Sequence, residues 1–175
     1  MRKVWILWAS FLLALPGATR AEEAPGDGPA TETATFAMYC YWTGEATLGR
    51  VAGVERSRIG HWAGREIVQV DYDPQETSLE ALVAALRRQR SFDALVVGPG
   101  EAPPKVPSFR RSEVLSAEGR PHFIEPKHSL RTRHPELSRL DLTEAQAIAL
   151  NSWSYFGGPM PDVLTREQKS ALADR

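Results

Sequence analysis

At 175 residues the chain has room for one domain with appendages, or at most two small ones, and its 42% hydrophobic content is enough for a core. A formal net charge of −1 gives no general basic excess that would favour nucleic acid or an anionic membrane surface. Thirteen prolines and thirteen glycines fall mostly between the candidate elements, which predicts a compact core with long connections.

The first residues read as an export signal. Met1, Arg2 and Lys3 form a short basic stretch, and the uncharged run VWILWASFLLALPGA follows. That run is shorter than the roughly 20 residues a spanning helix needs. A cut after Ala21 is expected to leave a periplasmic or secreted protein with no membrane attachment. Residues 22–33, acidic and rich in Pro and Gly, read as a flexible leader.

Residues 34–97 carry the strongest pattern. ATFAMYCYW reads as a strand ending near Cys40, and TGEATLGRV as a short helix with Thr43 as its cap and Glu45 in its first turn. GVERSRIGHW is a second strand after a turn at Gly53. REIVQVDYD alternates cleanly, with Glu66, Val68, Val70 and Tyr72 on one face. TSLEALVAALRRQ is an amphipathic helix capped at Thr77 or Ser78, with Leu79, Leu82, Val83 and Leu86 at helical spacing. FDALVV supplies a further strand. The order β-α-β-β-α predicts an α/β (α+β) open sandwich of the ferredoxin-like kind.

Residues 98–111 form a proline-rich loop, and 112–142 show no clear period. DLTEAQAIALNSW is a helix with a capping box at Thr143 and Gln146, and LTREQKSALA repeats that grammar at Thr165 and Gln168. Residues 112–175 are thus an irregular and helical extension whose helices dock on the core. Trp153, Tyr155 and Phe156 read as packing for this tail. His122, His128 and His134, interleaved with Lys127, Arg131 and Arg133, read as a solvated basic loop, and no metal site is predicted there.

Cys40 is the only cysteine, so it has no partner within the chain. In an oxidising compartment such a residue is a reactive thiol, half of an intermolecular bond, or a small buried apolar side chain. A position between a strand and a helix N-terminus favours the thiolate, because the backbone N–H groups there carry partial positive charge. Tyr41 and Trp42 would wall a small apolar space beside the sulfur. Glu66, in line with Val68 and Val70, is the candidate for a partly buried acid that delivers a proton to a substrate oxygen.

TFAMYCYWTGE followed by AGVERSRIGHWAGREIVQVDYDPQETSLEAL resembles the N-terminal half of the A-type peptide methionine sulfoxide reductases. Cys40 stands at that family's nucleophile, Tyr41 and Trp42 at its aromatic pair, and Glu45 at a Glu three residues further on. Gly53-Val54, then Gly60 and Gly64, match later landmarks, and Glu66 precedes Tyr72-Asp73-Pro74 as the family's catalytic acid does. The resemblance implies attack of Cys40 on a sulfoxide sulfur, protonation of the oxygen by Glu66, and a cysteine sulfenic acid. It also implies substrate contacts from Tyr41, Trp42 and either His61 or Tyr72. The substrate would be free or peptide methionine sulfoxide, the reductant an external thiol such as a thioredoxin-like protein, and no cofactor would be needed. The chain departs from the family at Met38 and Tyr39, where two glycines precede the cysteine, and at His61, where the family has an oxygen-binding tyrosine.

Two other readings stay open. MYCYWT matches the Met-x-Cys part of a heavy-metal-binding loop, with Thr43 where the second thiolate belongs. An inert reductase-like scaffold is the other.

Overall fold

The computed structural model describes residues 31–102 and 109–173. The expected export signal, nearly all of the leader and part of the proline-rich loop lie outside the described residues. The first half runs β1 (Glu32–Met38), α1 (Tyr41–Leu48), β2 (Val54–Trp62), β3 (Arg65–Tyr72), α2 (Leu79–Arg88) and β4 (Phe92–Val97). β1 starts inside the stretch expected as leader, because Glu32 and Thr33 pair with Tyr72 and Asp71.

The second half contributes β5 (Val114–Ser116), β6 (His122–Ile124), α3 (His128–Arg133), α4 (Pro135–Ser138), α5 (Glu144–Phe156) and α6 (Arg166–Ala173). The six strands form one sheet in the order β5-β4-β1-β3-β2-β6. The central β4-β1-β3-β2 portion is antiparallel throughout and is the core of an α+β open sandwich, as the element order predicts. The outer strands come from the stretch without a sequence period. β5 adds parallel to β4, and β6 adds antiparallel to β2. Each covers an edge that would otherwise present unpaired backbone groups.

Local chemistry explains these elements. β2 and β3 join through Ala63 and Gly64 alone, at φ 48° and 74°. Two positive φ values are those of a two-residue type I′ loop, whose twist matches that of a hairpin. In α2 the Ser78 hydroxyl accepts from the Ala81 N–H at 3.3 Å. Its Leu82, Val83 and Leu86 join Phe36, Val68 and Leu48 in the main core, on one face of the sheet. Each such side chain contributes about 1.5–3 kcal/mol by leaving water. The opposite face holds a smaller cluster of Ala37, Ile67, Ala94, Val96 and Ala117, with Trp62 and Phe123 against it.

The predicted capping boxes of the tail are present. Thr143 and Gln146 exchange backbone-to-side-chain hydrogen bonds at 2.9 and 3.2 Å, and Thr165 and Gln168 do the same. α5 packs on α1 and β2, with Ile148, Leu150, Asn151, Ser152 and Ser154 buried. Trp153 packs against a third cluster built on Leu130, Leu137, Leu150 and Leu164.

Candidate active site

The site lies where β1 ends and α1 begins. Cys40 has extended backbone (φ −143°, ψ 113°) and is the N-cap of α1. The helix therefore starts at Tyr41 rather than after the expected cap at Thr43, and Glu45 lies in its second half. The first turn is capped from another strand. The Tyr41 N–H donates to Glu66 Oε2 at 2.8 Å, so the carboxyl group of β3 occupies the positive end of the helix. Among the described residues no hydrogen bond reaches the other Glu66 oxygen. Thr43 instead pairs its hydroxyl with that of Tyr155 on α5, at 2.6 Å.

Cys40 is half-buried, and its thiol makes no capping hydrogen bond. The two residues before it differ sharply in burial. Met38 is buried, its sulfur seated beside Gly44, where a Cβ would come within 1.8 Å of it. Tyr39 points outward and is 92% exposed.

Sheet register sets the floor of the site. Met38, Glu66, His61 and His122 are successive cross-strand partners on β1, β3, β2 and β6. Direct partners share a face, so His61 stands beside Glu66 on the side that carries α1. The Tyr41 ring meets the His61 ring edge-on, with centroids 5.5 Å apart. Tyr41 also meets Trp42 edge-on at 5.7 Å. Burial first, then the neighbouring Glu66 and Cys40, push the Tyr41 hydroxyl above the ordinary tyrosine range. Trp42 is 39% exposed, a large apolar surface two residues from the thiol.

Cys40, Tyr41, Trp42, His61 and Glu66 are thus brought together, and Tyr72 is not. Tyr72 shares the β3 face with Glu66, but six residues of strand separate them, roughly 20 Å. Its side chain is buried, and its hydroxyl donates to Glu32 at 2.6 Å. Burial, and after it that bond, hold its pKa far above the ordinary range.

Two residues of the expected basic loop reach the site or its support. His128 lies flat on Trp42, with centroids 4.2 Å apart and planes 8° from parallel. Lys127 is only 5% exposed, so this stretch is not a solvated loop. It lies in a polar junction under α1 centred on Glu45, which is 1% exposed. Glu45 Oε1 receives the Ser57 hydroxyl at 3.0 Å. Oε2 receives the Lys127 backbone N–H at 3.0 Å and the Asn151 amide at 3.2 Å. The Lys127 ammonium stands 3.7 Å from Oε1, donates to the Ser57 carbonyl at 2.8 Å and pairs with Glu144. Burial raises the Glu45 pKa, while Lys127 and Ser57 pull it the other way. Among the described residues no group of three or more His, Cys, Asp or Glu side chains is placed to hold a metal ion.

No family model matches the chain. It is similar to peptide methionine sulfoxide reductases. One from Nostoc sp. is 34% identical over 70 residues, covering 30% of this chain and 43% of the relative. One from Drosophila melanogaster is 33% identical over 64 residues, covering 29% and 26%. One from Oryza sativa subsp. japonica is 32% identical over 80 residues, covering 36% and 42%. The chain therefore matches less than half the length of these curated relatives. The similarity supports a partial relationship to methionine sulfoxide reductases at low identity.

Proposed function

We propose that this chain is an oxidoreductase that reduces methionine sulfoxide, free or in peptides, with Cys40 as nucleophile and Glu66 as acid. The observation that carries the reading is the 2.8 Å bond from the Tyr41 N–H to Glu66, which ties the carboxyl group to the residue next to a half-buried cysteine at the N-cap position of α1. The partial similarity to reductases named for this substrate supports it.

The Cys40 thiolate attacks the sulfoxide sulfur, and the Glu66 carboxyl group relays a proton to the oxygen. The substrate S–O bond breaks as the hydroxyl passes to the Cys40 sulfur, which leaves Cys40 as a sulfenic acid and releases the thioether. Sulfur is reduced in the substrate and oxidised in the cysteine. The indole of Trp42 receives the S-methyl group, and His61, beside Glu66, holds the oxygen. The chain has no second cysteine to resolve the sulfenic acid. An external thiol, from a thioredoxin-like protein or a small molecule, attacks Cys40 with loss of water, and a second thiol releases the mixed disulfide. The proposed place of action is outside the cytoplasm, after cleavage of the N-terminal segment.

The test is thiol consumption driven by methionine sulfoxide, with trapping of the sulfenic acid. Cys40→Ser is expected to abolish both. Glu66→Gln is expected to slow turnover about 10²- to 10⁴-fold, the usual contribution of a positioned acid. Turnover retained by Cys40→Ser would exclude the reading.

A further inference from the structure

The residues around His128 are fastened one after another. Lys127 is bound through its N–H and its ammonium. The Ser129 carbonyl accepts the Ser154 hydroxyl at 2.9 Å, and the Leu130 N–H donates to the Asn151 side chain at 3.1 Å. Lys127, Ser129 and Leu130 are all buried, whereas His128 between them is half-exposed. Lys127 also adopts left-handed backbone (φ 58°, ψ 43°), which non-glycine residues take only where their surroundings hold them. This turn starts α3 at His128 and delivers the imidazole onto Trp42, across the gap between the two halves of the molecule.

We propose that His128 is a positioning residue. It fixes the plane of the Trp42 indole so that the opposite indole face stands ready for the substrate's methyl group, and the C-terminal half thereby completes the site. The proposal rests on the methionine sulfoxide reading for its choice of substrate, but not for the positioning itself. An indole on the first turn of a helix can hop between rotamers, and the edge contact from Tyr41 leaves both of its faces uncovered by that ring. A planar ring stacked on it removes that freedom, and the substrate then binds a preset surface rather than one it must order.

The experiment has two arms. The first follows the Trp42 indole resonance in the full chain, assigned by its loss in Trp42→Phe. His128→Ala is expected to remove the ring-current shift of the stacked imidazole, and His128→Phe to keep a shifted resonance. The second arm measures reduction of methionine sulfoxide. His128→Ala is expected to raise KM about three- to tenfold, in keeping with the value of an aromatic pair. In that variant kcat and the rate of Cys40 alkylation are expected to stay within about twofold, because the stack acts on binding. His128→Phe is expected to restore KM. A Trp42 resonance that in His128→Ala stays at its position in the unaltered chain overturns the proposal. So does a fall in kcat and alkylation as large as the change in KM, which would mark general loosening. If the unaltered chain reduces no sulfoxide, the substrate reading fails while the resonance arm still decides the positioning.

Discussion

The two halves of the molecule are held by different forces. The sheet with α1 and α2 closes over a continuous apolar core in which Phe36, Leu48, Val68 and Leu82 are fully buried. The C-terminal half has its own leucine cluster; its strands β5 and β6 extend the sheet and its Ala117 and Phe123 join the second apolar cluster, while polar groups fasten α3 and α5 beneath α1. Glu45 meets Ser57, Lys127 and Asn151, and Ser152 donates to the Ala46 carbonyl at 2.6 Å. Apolar burial has no direction. It drives the halves to collapse but does not choose the angle at which α3 meets α1. Buried hydrogen bonds do choose it, because a misplaced donor costs more than a correct one contributes. The polar junction therefore sets where His128 lands.

The comparison breaks most sharply at Glu45. Glu45→Ala leaves the Ser57 hydroxyl, the Lys127 N–H and the Asn151 amide without their acceptor, beside a buried ammonium. The expected loss is about 3–5 kcal/mol, as when one member of a buried pair is removed. Urea unfolding checks the total. Hydrogen exchange distinguishes the halves: residues 128–156 are expected to lose protection before β1 and β3 do. Equal loss in both halves would mean that the junction is no more directional than the core.

What could be read in advance divides along the same line. β3 showed itself by alternation, α2 by its apolar stripe, and α5 by Thr143 and Gln146, all local signals. Cys40, Trp42 and Glu66 stand out as candidates because they keep motif spacing. β5 and β6 are three residues each, too short for any period to register. Sequence places the helix start after Thr43, whereas the first-turn cap, Glu66, lies on another strand and leaves no trace beside the cysteine. Strand parity puts Tyr72 on the face of Glu66 but does not set its distance along the strand. Lys127 and His128 read as solvated because a histidine's stacking partner is set by tertiary docking, which spacing within the loop does not encode.

A smaller effect is expected at Gly60, where the C-terminal half touches the sheet edge. A Cβ there would stand 2.1 Å from the His122 carbonyl oxygen and 2.8 Å from Phe123 Cα, both backbone of β6. Strand β6 has to move before alanine fits. Gly60→Ala is expected to cost about 1–3 kcal/mol, the range for an overpacked site. Detachment of β6 should show as faster amide exchange at His122–Ile124 with β1–β3 pairing intact. Unchanged exchange there would show that β6 shifts without cost, and that the junction at Lys127 holds the half in place by itself.

The smallest expected effect separates the two contributions within that junction. Burial raises the Glu45 pKa, and Lys127 opposes the rise without cancelling it. The folded protein therefore binds this proton more tightly than the unfolded chain does. The stability it contributes is fully present below the ordinary glutamate value of about 4.3 and is lost as pH climbs through the higher folded value. Glutamine keeps the shape but does not titrate. The stability advantage of the unaltered chain over Glu45→Gln should accordingly narrow as the pH is raised from about 4 towards 7, read as a shrinking gap between urea midpoints. A widening gap would reverse the assignment: attraction to Lys127 would then dominate, and the two halves would be joined chiefly by an ion pair rather than by hydrogen bonds to a desolvated carboxyl group.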